Sequence, residues 1–105
     1  MSERLHRLEA KIIERRGASP DSSYVASLFA KGRHKIAQKV GEEATETVIA
    51  ALSGNPAELT AEAADLLFHL IILLVDGGLS IDDVLDELHR REGVSGHTEK
   101  AARKN

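Results

Sequence analysis

The sequence predicts an all-α fold, a bundle of about five helices, from three observations. Aromatic residues make up only 3% of the chain. No stretch alternates β-branched and polar residues at the period of a strand. Ala, Leu, Glu, Lys and Arg, all good helix formers, dominate the composition. At 105 residues the chain reads as a single domain, 1–105, with about 93–105 as a polar tail.

Each helix follows from its own pattern. Leu5, Leu8, Ile12 and Ile13 recur at helical spacing and place a first helix near 3–16. "GASPD" breaks the chain, and Asp21 or Ser22 is placed to cap a short second helix ending near Gly32. A third helix runs from about Arg33 to Ser53, with Gly54 as its stop. In "NPAE" Asn55 is an N-cap, Pro56 the first helical residue, and Glu58 is placed to close a capping box. The fourth helix continues to about Asp76 and ends at Gly77-Gly78. Ser80 then caps a fifth, with acids in its first turn, that reaches about Arg91.

From Ala63 to Val75 only Asp65 and His69 are polar, so the fourth helix is apolar nearly all round and must be surrounded. Five helices of this size struggle to cover every face of it. The expectation is a homodimer whose helices complete a joint bundle.

Several function classes are excluded or disfavoured. A net charge of −3 gives no support to nucleic-acid binding through many phosphate contacts. The absence of cysteine removes disulfides and thiolate metal sites, and suits a reducing cytoplasm. "MSERLHRLEAKII" has no apolar core of a secretory signal, and "LLFHLIILLV" is too short to span a bilayer, so no membrane role is expected.

The chemistry is concentrated in acids. On a wheel of about 100° per residue, Ile36, Val40, Ala44, Val48 and Ala51 form the expected core stripe of the third helix. Lys35, Lys39, Glu42, Glu43 and Glu46 occupy the adjoining arc. Carboxylates one helical turn apart repel by about 0.2–0.5 kcal/mol per pair, so the cluster needs a reason. On the fourth helix Glu62, Asp65 and His69 share an edge flanked by Leu59, Leu66, Leu70 and Leu73, which is expected to keep Asp65 from water. No Lys or Arg occurs between Lys39 and Arg90.

The short "LSGNP" connection makes the two helices antiparallel neighbours, so Glu43-x-x-Glu46 can face Glu62-x-x-Asp65. Converging carboxylates require a cation, and all-oxygen ligands favour Mg²⁺, with Mn²⁺ as substitute. Carboxylate-held magnesium most often serves phosphate chemistry. Lys31, Arg33, His34, Lys35 and Lys39, with Arg90, Arg91, Lys100 and Arg103 further on, are candidates for binding a polyphosphate. The bland alternatives are a solvated charged face and, for His69, a hydrogen-bonded core residue. Its spacing from Asp65 also allows an outer-shell contact.

At these residues the sequence resembles the phosphoribosyl-ATP pyrophosphatases of histidine biosynthesis, within the all-α, MazG-like pyrophosphohydrolases. The superfamily pattern E-x-x-E then E-x-x-D is met by Glu43, Glu46, Glu62 and Asp65. The narrower family is suggested by "SYVASLFAKG", "KVGEEATE", "EAADLLFHL" and "SGHTEKAAR". The resemblance implies Mg²⁺-dependent hydrolysis of phosphoribosyl-ATP to phosphoribosyl-AMP and pyrophosphate. It implies metal ligation by Glu43, Glu46, Glu62 and Asp65, with Glu42, Glu43 and Glu46 as the catalytic acids. Glu42 would be an extra ligand or would orient a water, and Lys39 would contact the phosphates beside Lys35, Arg33 and Lys31. It further implies water attack on the α-phosphorus without a covalent intermediate, a stand-alone enzyme, and a C-terminal segment ordered near the substrate or the partner subunit.

Three rivals stand beside this reading. A house-cleaning pyrophosphohydrolase for free nucleoside triphosphates shares the acidic motif. A di-iron bundle needs His three residues after Glu, whereas His69 follows Asp65 by four and Glu62 by seven. A non-enzymatic helical module would leave the acids solvated.

Overall fold

The five periodic stretches are five helices in the computed structural model, which describes residues 2–93. They are α1 (Ser2–Arg16), α2 (Tyr24–Lys31), α3 (Arg33–Ser53), α4 (Pro56–Asp76) and α5 (Ile81–Arg90). Among the described residues there is no strand. The segment "SGHTEKAAR", with Lys100 and Arg103, lies outside the described residues.

Local chemistry accounts for the boundaries, with two corrections. The cap of α2 is Ser23, not Asp21 or Ser22; its Oγ accepts the Ala26 N–H at 3.2 Å. The preceding residues form a turn of their own, with the Ser22 and Ser23 N–H groups donating to the Ser19 carbonyl at 3.0 and 3.1 Å. Asn55 caps α4 by accepting from the Ala57 and Glu58 N–H groups at 3.0 and 3.3 Å. Glu58 does not close a capping box there, because its carboxylate accepts from the Ser53 hydroxyl at 2.9 Å instead. The reciprocal box occurs at α5, where Ser80 and Asp83 satisfy each other's end of the helix.

Two glycines set the connections. Gly32 joins α2 to α3 with a single residue at φ 97°, ψ 176°, a region essentially confined to glycine. Its N–H closes α2 on Leu28 and its carbonyl opens α3 on Ile36, at 3.1 Å each. Gly54, at φ 79°, ψ 8°, ends α3 in the left-handed conformation and folds α4 back along it. At the far end of this hairpin α4 and α5 meet at a 103° bend. No single helix among the described residues is long and apolar enough to cross a membrane.

The core gathers at one end of the α3–α4 hairpin. Ile12, Val25, Leu28, Ile36, Ile71, Ile72, Val75 and Ile81 form its buried centre, so every helix contributes. α1 is further tied to the start of α5 by Glu9, which accepts the Ile81 N–H at 2.6 Å, and by His6 against Asp82 at 2.6 Å. α1, α2 and α5 cover only this end.

The expected core stripe of α3 therefore holds only in part. Ile36 is buried and Val40 and Ala44 are half-buried, but Val48 is 60% exposed and Ala51 is exposed. Ala50 takes the inward position at the tip. Among the described residues α4 is the main helix against α3 there, and it meets α3 at Ala50 rather than along the stripe drawn on a wheel. α4 buries His69, Ile71, Ile72 and Val75 and leaves Phe68, Leu70, Leu73 and Leu74 half-buried, and it carries exposed Leu59 and Leu67.

Candidate metal centre

The hairpin places the acids of α3 opposite those of α4. Thr47 fixes the juxtaposition: its hydroxyl is 2.7 Å from the Glu43 carbonyl and 3.1 Å from the Glu62 carbonyl, and donates between them. That shared bond ties the two acid-bearing turns together at the level of the site. Thr47 is four residues after Glu43 on the same edge, so helical spacing could have marked it.

Carboxylate oxygens of Glu43, Glu62 and Asp65 come within 4.8 Å of one another. Around Mg²⁺, with oxygens about 2.0–2.1 Å away, neighbouring ligand oxygens lie about 3 Å apart and opposite ones about 4 Å apart. The three side chains meet that demand with movements of roughly 1 Å or less, so the donor set fits a hard divalent ion. Glu46 is not among the three. It stands on the tip side of Glu62, where the two share a groove of about 270 Å³ with Ile49, Ala50, Glu58 and Ala61. Asp65 is exposed rather than shielded, while Glu43 and Glu62 are half-buried. Leucines flank its edge, but Asp65 itself lies at the open, acid-bearing side of the α3–α4 pair.

The electrostatics record the crowding. Burial pushes the Glu62 carboxyl above its usual value of 4.5, and the negative charges of Asp65, Glu43 and Glu46 push the same way. Glu42 behaves oppositely. The Gln38 amide donates to it at 2.9 Å, Lys39 lies 3.3 Å away, and together they hold its carboxyl below the usual range. Lys39 also reaches Glu43 at 3.6 Å. Its ammonium is held above the usual lysine value, first by the hydrogen bond to Glu42.

The other basic candidates are placed differently. Lys35 is near enough for its charge to lower the Glu42 carboxyl. Arg33 is engaged at the end of α4, where it donates to the Asp76 carboxylate at 2.7 Å and to the Asp76 carbonyl at 2.9 Å. Ten residues of helix separate it from Glu43, about 15 Å along the axis, so it is not brought to the acids. Lys31 is an exposed residue closing α2. Arg90 and Arg91 pair with Glu87 on α5. His69 is buried, and its Nδ1 bonds the Asp65 backbone carbonyl at 2.7 Å, not the carboxylate.

Comparison with known proteins agrees with the motif. Residues 5–92 match the family model described as phosphoribosyl-ATP pyrophosphohydrolase. A protein of Erythrobacter litoralis named phosphoribosyl-ATP pyrophosphatase is 66% identical over 99 residues, covering 94% of this chain and 95% of the relative. Proteins of the same name from Rhizorhabdus wittichii and Zymomonas mobilis are 61% and 62% identical. They cover 98% and 96% of this chain and 97% and 94% of their own lengths. With the family model reaching into all five helices and these relatives covering at least 94% of the chain, the chain belongs to the phosphoribosyl-ATP pyrophosphohydrolase family.

Proposed function

We propose that this protein hydrolyses phosphoribosyl-ATP to phosphoribosyl-AMP and pyrophosphate with Mg²⁺, as a step of histidine biosynthesis in the cytoplasm. The observation that carries the reading is the convergence of the Glu43, Glu62 and Asp65 oxygens within 4.8 Å, with Lys39 at their edge. Family membership and the relatives' names support the substrate. Glu43, Glu62 and Asp65 would hold the ion, with Glu46 close enough to Glu62 to join them. The ion would supply positive charge against the phosphate oxygens and the leaving pyrophosphate.

The remaining chemistry belongs to the chain. Water adds to the α-phosphorus and releases a proton to solvent, the bond to the bridging oxygen breaks, and pyrophosphate departs with that bond's electron pair. Lys39 stays protonated at neutral pH, and its ammonium can pass from the acids to phosphate oxygens as substrate enters. Glu42 stays ionised under the Gln38 and Lys39 contacts, which suits it to accept a hydrogen bond from the attacking water. A second copy of the chain would cover the hairpin tip, where Val48, Ile49 and Leu52 of α3 and Leu59 and Leu67 of α4 expose apolar surface.

A magnesium-titrated assay with product identification tests the reading. Phosphoribosyl-ATP should be turned over faster than any of a panel of deoxynucleoside triphosphates, with release of pyrophosphate and full loss of activity in chelator. Faster turnover of a free triphosphate would replace biosynthesis with nucleotide house-cleaning. Undiminished activity in chelator would remove the ion.

A further inference from the structure

His69 is only 5% exposed, so both of its ring nitrogens need partners. Its Nδ1 lies 2.7 Å from the Asp65 backbone carbonyl oxygen. A carbonyl can only accept, so Nδ1 carries a proton, and in the neutral imidazole Nε2 then offers a lone pair. The Tyr24 hydroxyl stands 2.7 Å from Nε2 and is therefore the donor. The imidazole is held edge-on against both neighbouring rings, with centroids 5.7 Å from Tyr24 and 5.4 Å from Phe68. Its plane is thus fixed by packing as well as by hydrogen bonds.

Tyr24 is the first residue of α2 and is 51% exposed. Packing alone would leave its hydroxyl free to face water. Instead the hydroxyl is committed to a buried imidazole whose other nitrogen grips the turn bearing Asp65. The phenol also feels the site directly. Burial raises its pKa, Lys39 opposes the rise, and Glu43, Asp65 and Glu42 reinforce it. The proton donated to His69 is therefore retained through the neutral range.

We infer that Tyr24 is a positioning residue for the acidic site: through His69, its hydroxyl ties α2 to the α4 turn that aims Asp65. The inference deepens the divalent-ion reading above and rests on it. Outer partners of metal-site residues typically contribute 10- to 100-fold in ion affinity, and one neutral hydrogen bond acting through a backbone belongs at the lower end.

The test is Mn²⁺ binding, followed by electron paramagnetic resonance on metal-free protein without substrate. Wild type, Tyr24→Phe and Ser80→Ala are compared well below their melting temperatures. Ser80→Ala weakens the cap of α5 and serves as a destabilised control remote from the acids. Tyr24→Phe should bind Mn²⁺ about tenfold more weakly, and Ser80→Ala should bind as wild type does. Adding Tyr24→Phe to a His69→Gln background should cause no further loss. Nitrogen-15 spectra of the wild type should show the proton of His69 on Nδ1.

Unchanged Mn²⁺ affinity in Tyr24→Phe would overturn the inference and leave the ion site standing, as would a proton found on Nε2. A wild type that binds no Mn²⁺ would instead remove the ion site, and the inference with it.

Discussion

Glu62→Gln should be more stable than wild type in the metal-free protein and less stable than wild type in magnesium. In the metal-free fold the Glu62 carboxyl is raised above 4.5 by burial and by the charges of Asp65, Glu43 and Glu46. A carboxyl with a raised folded-state pKa binds its proton more tightly when folded. It contributes stability below about pH 4.5 and loses that contribution as pH rises through the folded pKa. At pH 7.5 in chelator, ionised Glu62 therefore works against the fold. The glutamine variant should melt above wild type there, and the gap should close toward pH 4. Magnesium inverts the comparison. An ion at 100 times its dissociation constant stabilises the protein by about 2.7 kcal/mol. For a domain of this size that raises the melting temperature by about 10–20 °C. Replacing one of the three gathered carboxylates by a neutral amide should reduce that gain to a few degrees at the same magnesium concentration. Thermal melts at fixed protein concentration, in chelator and in magnesium, make the measurement. A variant less stable than wild type in chelator at pH 7.5, or one with an undiminished magnesium gain, would refute the reasoning.

The apolar tip, the core and the α5 ion pairs each yield a further expectation. Leu52 is 84% exposed on the hairpin, and Leu52→Glu should convert a dimer to monomer in sedimentation velocity; an unchanged sedimentation coefficient would place the interface elsewhere. Ile72 is fully buried, so Ile72→Ala should cost about 2–5 kcal/mol in urea unfolding, and a loss well under 1 kcal/mol would contradict the core described. Glu87 is held at about 2 by hydrogen bonds from Arg90 and Arg91. Its contribution is present above about pH 4.5 and is lost as pH falls toward 2. Glu87→Gln should therefore lower stability at pH 7, by an amount that fades on acidification, and a penalty independent of pH would rule out the ion pairs as its source.

The helices were legible because their ends are written in local chemistry. Asn55-Pro56, Ser80 with Asp83, Gly54 and Gly77-Gly78 act within a turn of the residues they stop or start, so no distant contact has to be known. The antiparallel hairpin was legible for the same reason, since a connection as short as "SGN" leaves α4 no course but back along α3. The α2 cap was misplaced because Asp21, Ser22 and Ser23 are all capping residue types in consecutive positions; in the folded turn the Ser22 hydroxyl donates to the Ser19 carbonyl, and Ser23 accepts the Ala26 N–H. Arg33 was grouped with Lys39 by proximity in sequence, yet it faces Asp76. Its partner is set by the antiparallel register of α3 and α4.

The sequence by itself determined that five helices form, that two of them lie antiparallel, and that acids on both share the facing edge. Those outcomes rest on 3.6-residue periodicity and on capping groups, both local. Only the tertiary structure decided which acids meet. Glu43, Glu62 and Asp65 gather within 4.8 Å and Glu46 is not among them, because side-chain reach across a helix pair depends on the rotation of each helix about its own axis. It also decided that Tyr24, in a different helix and 45 residues away, hydrogen-bonds His69. That rotation is set by the whole core, from Ile12 to Ile81, and no single segment encodes it.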